Sequence, residues 1–121
     1  MRTTLATLIM SALLSALSCL DADPCEIADS IEITSPDNEM NAWVYIRECR
    51  SARSRSVHVS VLPSEVELQN VRGNAFVKAD EQRVIVRWSG PRDLTIEFED
   101  SGAIYWNETQ VGQVHIAYQA R

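Results

Sequence analysis

The chain has 121 residues, of which 45% are hydrophobic and 23% are charged, and its formal net charge is −6. A chain of this length forms one domain and leaves no room for a second catalytic lobe. Binding to phosphate backbones requires a surplus of Lys and Arg, so the acidic balance argues against nucleic acid as the main partner.

The first 18 residues have the features of a secretory signal peptide. Arg2 precedes an apolar run from Leu5 to Leu17 (LATLIMSALLSAL). As a helix this run would be roughly 20 Å long, which is short of the ~30 Å of a hydrocarbon core. A short apolar stretch between a basic start and small residues is typical of a signal peptide. We therefore predict that residues 1–18 direct export.

The signal peptide ends at a sequence that resembles a bacterial lipobox. Residues 15–19 read Ser-Ala-Leu-Ser-Cys, with small and aliphatic residues before the cysteine. In lipoproteins of this type the cysteine is diacylated and becomes the first residue of the mature chain, so we predict lipidation of Cys19. The alternative is ordinary signal peptidase cleavage after Ser18 or after Ala22, which would give a periplasmic or secreted protein.

The cysteine count agrees with lipidation and also with cleavage after Ala22. The chain has three cysteines, and an odd number leaves an unpaired thiol in an exported protein. Removal of Cys19 from the count, by lipid or by cleavage, leaves Cys25 and Cys49. Disulfides persist in the compartments to which export leads, so we predict a Cys25–Cys49 bridge.

Charge is unevenly distributed after the signal peptide. Residues 19–39 contain seven acidic residues and no basic one, whereas residues 40–121 contain ten of each. We predict an acidic tether over residues 19–30, followed by a domain over residues 31–121. Like-charge repulsion would let the tether hold the domain off an anionic lipid surface; a solvated leader is the alternative.

Four arginines cluster within nine residues of the domain, at Arg47, Arg50, Arg53 and Arg55. One interpretation is a basic loop that binds an anionic partner such as a phosphate, a lipid headgroup or an acidic protein face. The other is a solvated hairpin that pairs with the acidic leader, which the predicted disulfide would bring close.

Alternation of apolar and polar residues with period two recurs through the domain and predicts β-strands. Turn signals such as Ser35-Pro36-Asp37-Asn38 separate the alternating runs. This pattern predicts an all-β fold, an antiparallel sandwich or partly closed barrel of about seven or eight short strands. Residues 22–28 are expected to form a short helical turn or to be irregular. The side chains expected to be buried are Val57, Val59, Val61, Val84, Val86, Leu94, Ile96, Phe98, Val114 and Ile116.

Five motifs follow one another in the domain: Ser35-Pro36-Asp37, Cys49, Ser54–Leu62 (SRSVHVSVL), Gly73–Val77 (GNAFV) and Val84–Trp88 (VIVRW). Over residues 33–118 their order resembles a family of small, uncharacterised bacterial exported proteins, many of them lipoproteins. The resemblance implies the fold and export, and it implies no active site. The residues after Cys49 depart from the family pattern, in which a Gly-Ala-Thr-Thr run follows the cysteine.

The residues capable of chemistry do not form a recognisable catalytic or metal motif. His58 and His115 are expected on polar strand faces, and no CxxC, HxH or HExxH spacing occurs. His58 and Ser60 would lie roughly 6.6 Å apart along a strand, too far for a nucleophile–base bond. Glu97 and Glu99 share a strand face, as on the solvent side of an amphipathic strand. We predict no enzymatic activity, no metal and no cofactor.

Two functional hypotheses remain. The first is a lipid-anchored protein of the cell envelope, facing the periplasm, that acts as a non-enzymatic binding or structural module. Its partners would be the membrane, through the N-terminal lipid, and an envelope protein, with no nucleic acid and no identified small-molecule substrate. The alternative is a periplasmic inhibitor or immunity-like protein that blocks a hydrolase or toxin through the Arg50–Arg55 loop.

Overall fold

The computed structural model describes residues 24–50, 54–80 and 82–121. The predicted signal peptide, the lipidation of Cys19 and the role of Arg53 lie outside these residues. The described residues form nine strands and no helix. The strands are β1 (Cys25–Thr34), β2 (Met40–Cys49), β3 (Ser54–Pro63), β4 (Phe76–Ala79), β5 (Val84–Gly90), β6 (Asp93–Phe98), β7 (Ile104–Asn107), β8 (Gln110–Val111) and β9 (Val114–Ala120).

The strands form two sheets packed as a sandwich, which confirms the predicted all-β fold. A five-stranded sheet has the order β1-β2-β3-β4-β7, and a four-stranded sheet has the order β5-β6-β9-β8. All neighbours are antiparallel except β6 and β9, which run parallel. The parallel pair arises because the chain leaves β6, adds β7 to the other sheet and returns to pair with β6. The strand count exceeds the prediction because β1 begins within the predicted tether and the two-residue β8 is too short to show alternation.

The N-terminal strand corrects two sequence-based expectations. β1 begins at Cys25, so residues 25–30 belong to the sheet and not to a free tether, and they form no helical turn. The strand pairs with β2 from Cys25 opposite Cys49 to Thr34 opposite Asn41, with a bulge between Ile27 and Asp29. The bulge breaks the period-two pattern, which is why the sequence of this segment does not read as a strand.

The hydrophobic core lies between the inner faces of the two sheets. Every side chain predicted to be buried is buried except Val84, which is partly exposed at the margin of the core. Burial of each aliphatic side chain contributes about 1.5–3 kcal/mol. The core consists of Ala42, Val59, Val61, Ala75, Phe76, Val86, Leu94, Ile96, Phe98, Val114 and Ile116.

Polar contacts join the sheets at the β1–β2 turn. The Ser35 hydroxyl donates to the Asp37 carboxylate at 2.8 Å, and Asn38 adopts the left-handed conformation (φ 61°) that asparagine tolerates. Arg92, from the other sheet, binds Asp37 at 3.1 Å and Glu39 at 2.6 Å. The hydrogen bond from Ser35 is the largest cause of a lowered Asp37 pKa, and the Glu39 amide and Arg92 add to it.

Candidate binding groove

The β3–β4 loop, residues 64–75, turns back over the outer face of the five-stranded sheet. At its start the Ser64 amide donates to the Glu39 carbonyl at 2.9 Å. Further along, Asn70 accepts a hydrogen bond from Arg47 Nε at 3.1 Å and donates one to the Cys25 carbonyl at 2.6 Å. Because the loop is attached at both places, the segment between them stands over β1 and β2.

A groove of about 480 Å³ lies between this part of the loop and the sheet. Its apolar lining comes from Ile27 and Trp43 on the sheet and from Val66 and Leu68 on the loop, and Val66 is exposed. The remaining lining residues are Ser30, Glu32, Ser64, Glu65 and Glu67, so the groove has three carboxylates and no basic side chain. Apolar surface beside charges of one sign is suited to binding a segment of the opposite charge.

Trp43, which lines the groove, also carries an unpaired polar group. Its indole Nε1 is buried and has no hydrogen-bond partner within the described part of the chain. An unpaired buried donor costs about 1–3 kcal/mol.

The second half of the loop covers a buried polar cluster on the same sheet face. The Tyr45 hydroxyl donates to the Val71 carbonyl at 2.8 Å and lies 3.1 Å from Ser60 Oγ. Since the Tyr45 proton is engaged, the Ser60 hydroxyl donates to Tyr45, and its oxygen accepts from the Asn74 amide at 3.2 Å. Burial raises the pKa of Tyr45. These bonds fix the loop to β2 and β3.

His58 lies in the same cluster, stacked on Tyr45 with ring centroids 5.3 Å apart. The Gly73 amide donates to His58 Nδ1 at 2.9 Å, so the proton is on Nε2, which donates to Ser56 Oγ at 2.8 Å. Burial, together with the positive charges of Arg47 and Arg72, lowers the pKa of His58 to about 4. The ring is therefore neutral at ordinary pH.

His58 and Ser60 lie on the polar face of β3, opposite the core valines, but that face is not open to solvent. Both are buried, at 3% and 4% exposure, because the β3–β4 loop covers that face. Their polar atoms bind the loop, so they serve as its attachment points. His115, on β9, is exposed.

Of the predicted arginines, the three that the structure describes do not share one site. Arg47 is engaged with Asn70 beneath the loop. Arg50 and Arg55 instead line a cavity of about 440 Å³ at the end of β2 and β3, together with Glu48 and Cys49. Arg72, which the sequence did not single out, lies 4.0 Å above the Trp106 ring and attaches the loop to β7.

The Cys25–Cys49 disulfide is present, as predicted. The two residues are direct partners across β1 and β2, with Cα atoms 4.0 Å apart. Because Asn70 binds the Cys25 carbonyl, the bridge lies beside the point where the loop is attached. It therefore holds the two strands together at one end of the groove.

Two other side chains capable of chemistry, Glu97 and Lys78, form hydrogen bonds within the protein. Glu97 is buried and accepts hydrogen bonds from Arg87 and Arg121, whereas Glu99 is exposed. The fully buried Lys78 donates to the carbonyls of Ser101 and Gly102. Among the described residues, no three His, Cys, Asp or Glu side chains lie close enough to hold a metal ion. The same residues include no helix that is long and apolar enough to cross a membrane.

Comparison with protein-family models, curated proteins and solved structures gave no match to this chain. The groove is therefore the feature from which a function can be inferred. Sequence reasoning missed it, although residues 64–68 (SEVEL) alternate acidic and apolar side chains directly after Pro63. That alternation was the available signal, but which sheet face the loop covers depends on contacts far apart in sequence.

Proposed function

We propose that this chain is an exported, non-enzymatic binding module that holds a basic segment of an envelope protein in the groove. The observation that carries the proposal is the pairing of an apolar floor with Glu32, Glu65 and Glu67 and no basic lining residue. The apolar surface supplies affinity through burial, and the carboxylates orient a cationic partner and speed its association.

The occupant best suited to the groove is an extended segment rich in arginine. The aliphatic part of an arginine side chain packs on Trp43 and Ile27, while its guanidinium reaches the carboxylates of Glu65 or Glu67. The indole face of Trp43 adds a cation–π contact. An acidic segment would meet three like charges at the same place.

Lipidation at Cys19 would place this module at a membrane. Cys25 is the sixth residue after Cys19, so this part of the tether spans at most about 20 Å. The end of the sandwich that carries the disulfide would therefore face the lipid surface. The disulfide supports an oxidising compartment for the folded domain.

Mass spectrometry of the mature N-terminus, from protein extracted from membranes, tests the anchor. A diacylglyceryl group on Cys19 is the expected result. An unmodified Cys19, or a chain that begins at Asp23, would show that the domain is released without a lipid.

Titration of the isotopically labelled chain, without its signal peptide, with synthetic peptides tests the groove. The probe is a peptide of about eight residues in which Arg alternates with Leu, and the reference peptide has Glu in place of Arg. We expect the Arg peptide to shift the Trp43 indole N–H resonance and to bind more weakly as salt is raised. Equal binding of both peptides, or no binding of either, would overturn the proposed function.

Charge-neutralising variants locate the binding site. The double variant Glu65→Gln and Glu67→Gln should weaken binding of the Arg peptide about tenfold. Each ion pair between a peptide arginine and one of these carboxylates contributes on the order of 0.5–1 kcal/mol. The matched control is Glu99→Gln with Asp100→Asn, which removes two exposed acidic groups away from the groove. The control should leave the affinity unchanged.

An inhibitor that acts through the Arg50–Arg55 loop is the second candidate. The observation that favours it is the cavity of about 440 Å³ that Arg50 and Arg55 line beside the disulfide. For this function, Arg50→Glu would abolish capture of a target enzyme, whereas Glu65→Gln with Glu67→Gln would leave capture intact. The opposite pattern is expected if the groove is the binding site.

A further inference from the structure

β1 is an edge strand of ten residues. In the part of the chain that the structure describes, it pairs with β2 on one side only. An edge strand presents unpaired backbone N–H and C=O groups, which can pair with a strand from another chain. Ile31, in the middle of β1, is 60% exposed.

A cleft lies on each side of the sheet beside this edge. The groove is on the outer face and is bordered by Ser30 and Glu32 of β1. A second cleft of about 250 Å³ opens on the inner face, where Ile31, Val44 and Val84 contribute apolar surface. Successive side chains of a strand point to opposite faces of a sheet. A strand added beside β1 would therefore direct alternate side chains into the two clefts.

We propose that the partner segment binds by strand addition to β1, with its basic side chains in the outer groove and its aliphatic side chains in the inner cleft. This mode rests on the proposed function, because it uses the groove as one of its two side-chain sites. Backbone pairing would supply affinity, and the alternation of charge and apolarity would supply specificity.

Charge on β1 selects the partner. The strand carries Glu26, Asp29 and Glu32 and no basic residue. Pairing of β1 with a second copy of itself would bring acidic residues together, which is unfavourable between facing strands. A basic strand from another protein avoids this repulsion and meets the carboxylates of the groove as well.

The contacts at each end of β1 limit the length of the added strand. The Trp88 indole donates to the Ile33 carbonyl at 2.9 Å, which ends the open edge on that side. The bulge between Ile27 and Asp29 interrupts regular geometry on the other side. Regular pairing is thus limited to residues 29–32, and the partner needs a core of about four residues in register.

Backbone methylation of the Arg–Leu peptide tests strand addition directly. N-methyl groups on one alternate set of peptide bonds remove the donors that face β1, and those on the other set do not. We expect one methylated peptide to bind at least tenfold more weakly and the other to bind like the parent. The parent should also slow amide hydrogen exchange within residues 29–32. Equal affinities for both methylated peptides would overturn strand addition.

A matched pair of variants tests the inner cleft. Ile31→Ser should weaken binding of the Arg–Leu peptide about fivefold, since it removes exposed apolar surface beside β1. Ile104→Ser on β7, at the opposite edge of the same sheet and 42% exposed, should have no effect.

An Arg–Leu peptide that shifts the Trp43 indole but is insensitive to methylation and to Ile31→Ser would leave the groove function intact and exclude strand addition. Failure of the peptide to bind at all would remove both, and a dimer formed through β1 would contradict the choice of partner.

Discussion

The outer faces of the two sheets differ in how they meet water. On the five-stranded sheet the β3–β4 loop covers His58 and Ser60, which are almost fully buried. On the four-stranded sheet Glu97 lies between Arg87 and Arg121, whose side chains are 58% and 53% exposed. One face thus has a polar interior with fixed partners, and the other has ion pairs in contact with solvent.

This difference explains where the binding groove lies. A backbone segment laid over a sheet must satisfy its own N–H and C=O groups, so it requires polar partners at defined positions. Tyr45, His58 and Ser60 meet this requirement at one end of the loop, and Asn70 and Cys25 meet it near β1. Nearer its start the loop is also held by the hydrogen bond from the Ser64 amide to the Glu39 carbonyl, and between Ser64 and Asn70 it stands away from the sheet and leaves the groove. The ion pairs on the other sheet form with solvated arginines, so they do not require a backbone segment to lie at a fixed position over that sheet.

Removal of the disulfide should produce the largest loss of stability on the covered face. The bridge closes a loop with a sequence separation of 24 residues, so Cys25→Ala with Cys49→Ala should lower the free energy of unfolding by about 3 kcal/mol. Urea denaturation of the chain without its signal peptide measures the change. Chemical reduction of the unmutated chain is the control and should give a similar loss. A loss below about 1 kcal/mol would mean that strand pairing alone holds this end of the groove.

Substitution of Gly73 should have the next largest effect, because the loop approaches the sheet most closely there. A Cβ at Gly73 would lie 2.6 Å from the Val59 carbonyl oxygen and 3.0 Å from that of Phe76. Since both are backbone atoms that cannot rotate away, Gly73→Ala should cost about 2–3 kcal/mol in urea denaturation.

Gly90→Ala is the matched control for this change. There the nearest atom is an Asp93 carboxylate oxygen at 3.1 Å, on a side chain that can move. The expected cost is under about 1 kcal/mol. Equal costs for the two glycine variants would mean that the loop is free to move off the sheet.

The part of this architecture that was predictable is the part that follows from local periodicity. Val57, Val59 and Val61 alternate with polar residues, and all three face the core. β1 was missed because its bulge disturbs the alternation and its acidic residues suggest a solvated leader. Its place in the sheet depends on backbone pairing with β2, which no local pattern reports.

The groove was beyond sequence reasoning for a related reason. Nothing in the residues between β3 and β4 indicates which surface they cover. Alternation assigns His58 to the polar face of its strand without saying whether that face is covered, so its burial could not be predicted. The cysteine pair was predictable because counting left a single intramolecular partner for each residue.

The pH dependence of stability should include a contribution from His58 on the covered face. The folded pKa of His58 is about 4, below its ordinary 6.5, so the unfolded chain takes up a proton first as the pH falls. The stabilisation is fully present above pH 6.5 and is lost as the pH falls towards 4. One proton gives a slope of at most about 1.4 kcal/mol per pH unit. Because the ring retains some contact with polar groups, we expect a total loss on the order of 1–2 kcal/mol.

Two histidine variants separate this contribution from acid effects elsewhere. His115→Gln, on the open face, should keep the pH dependence of the free energy of unfolding. His58→Gln should reduce the slope between pH 6.5 and pH 4, whatever its effect on absolute stability. Parallel pH profiles for all three proteins would show that His58 is protonated in the folded state at the same pH as in the unfolded chain.

Neutralisation of Glu97 should have the smallest effect and tests the open face directly. The Glu97 side chain is only 10% exposed and lies 3.1 Å from Arg87 and 3.2 Å from Arg121. Because both arginines are largely solvated, they lose little hydration in the ion pairs, and each pair contributes little. We expect Glu97→Gln to lower the free energy of unfolding by less than about 1 kcal/mol, and the loss to shrink further in high salt because surface charges are screened. Glu99→Gln, at an exposed position two residues along the chain, is the control and should be neutral. A salt-independent loss above about 2 kcal/mol would mean that Glu97 acts as a buried charge with obligatory partners. Both outer faces would then hold buried polar groups through fixed partners. A partner covering the four-stranded sheet would be needed to explain that burial.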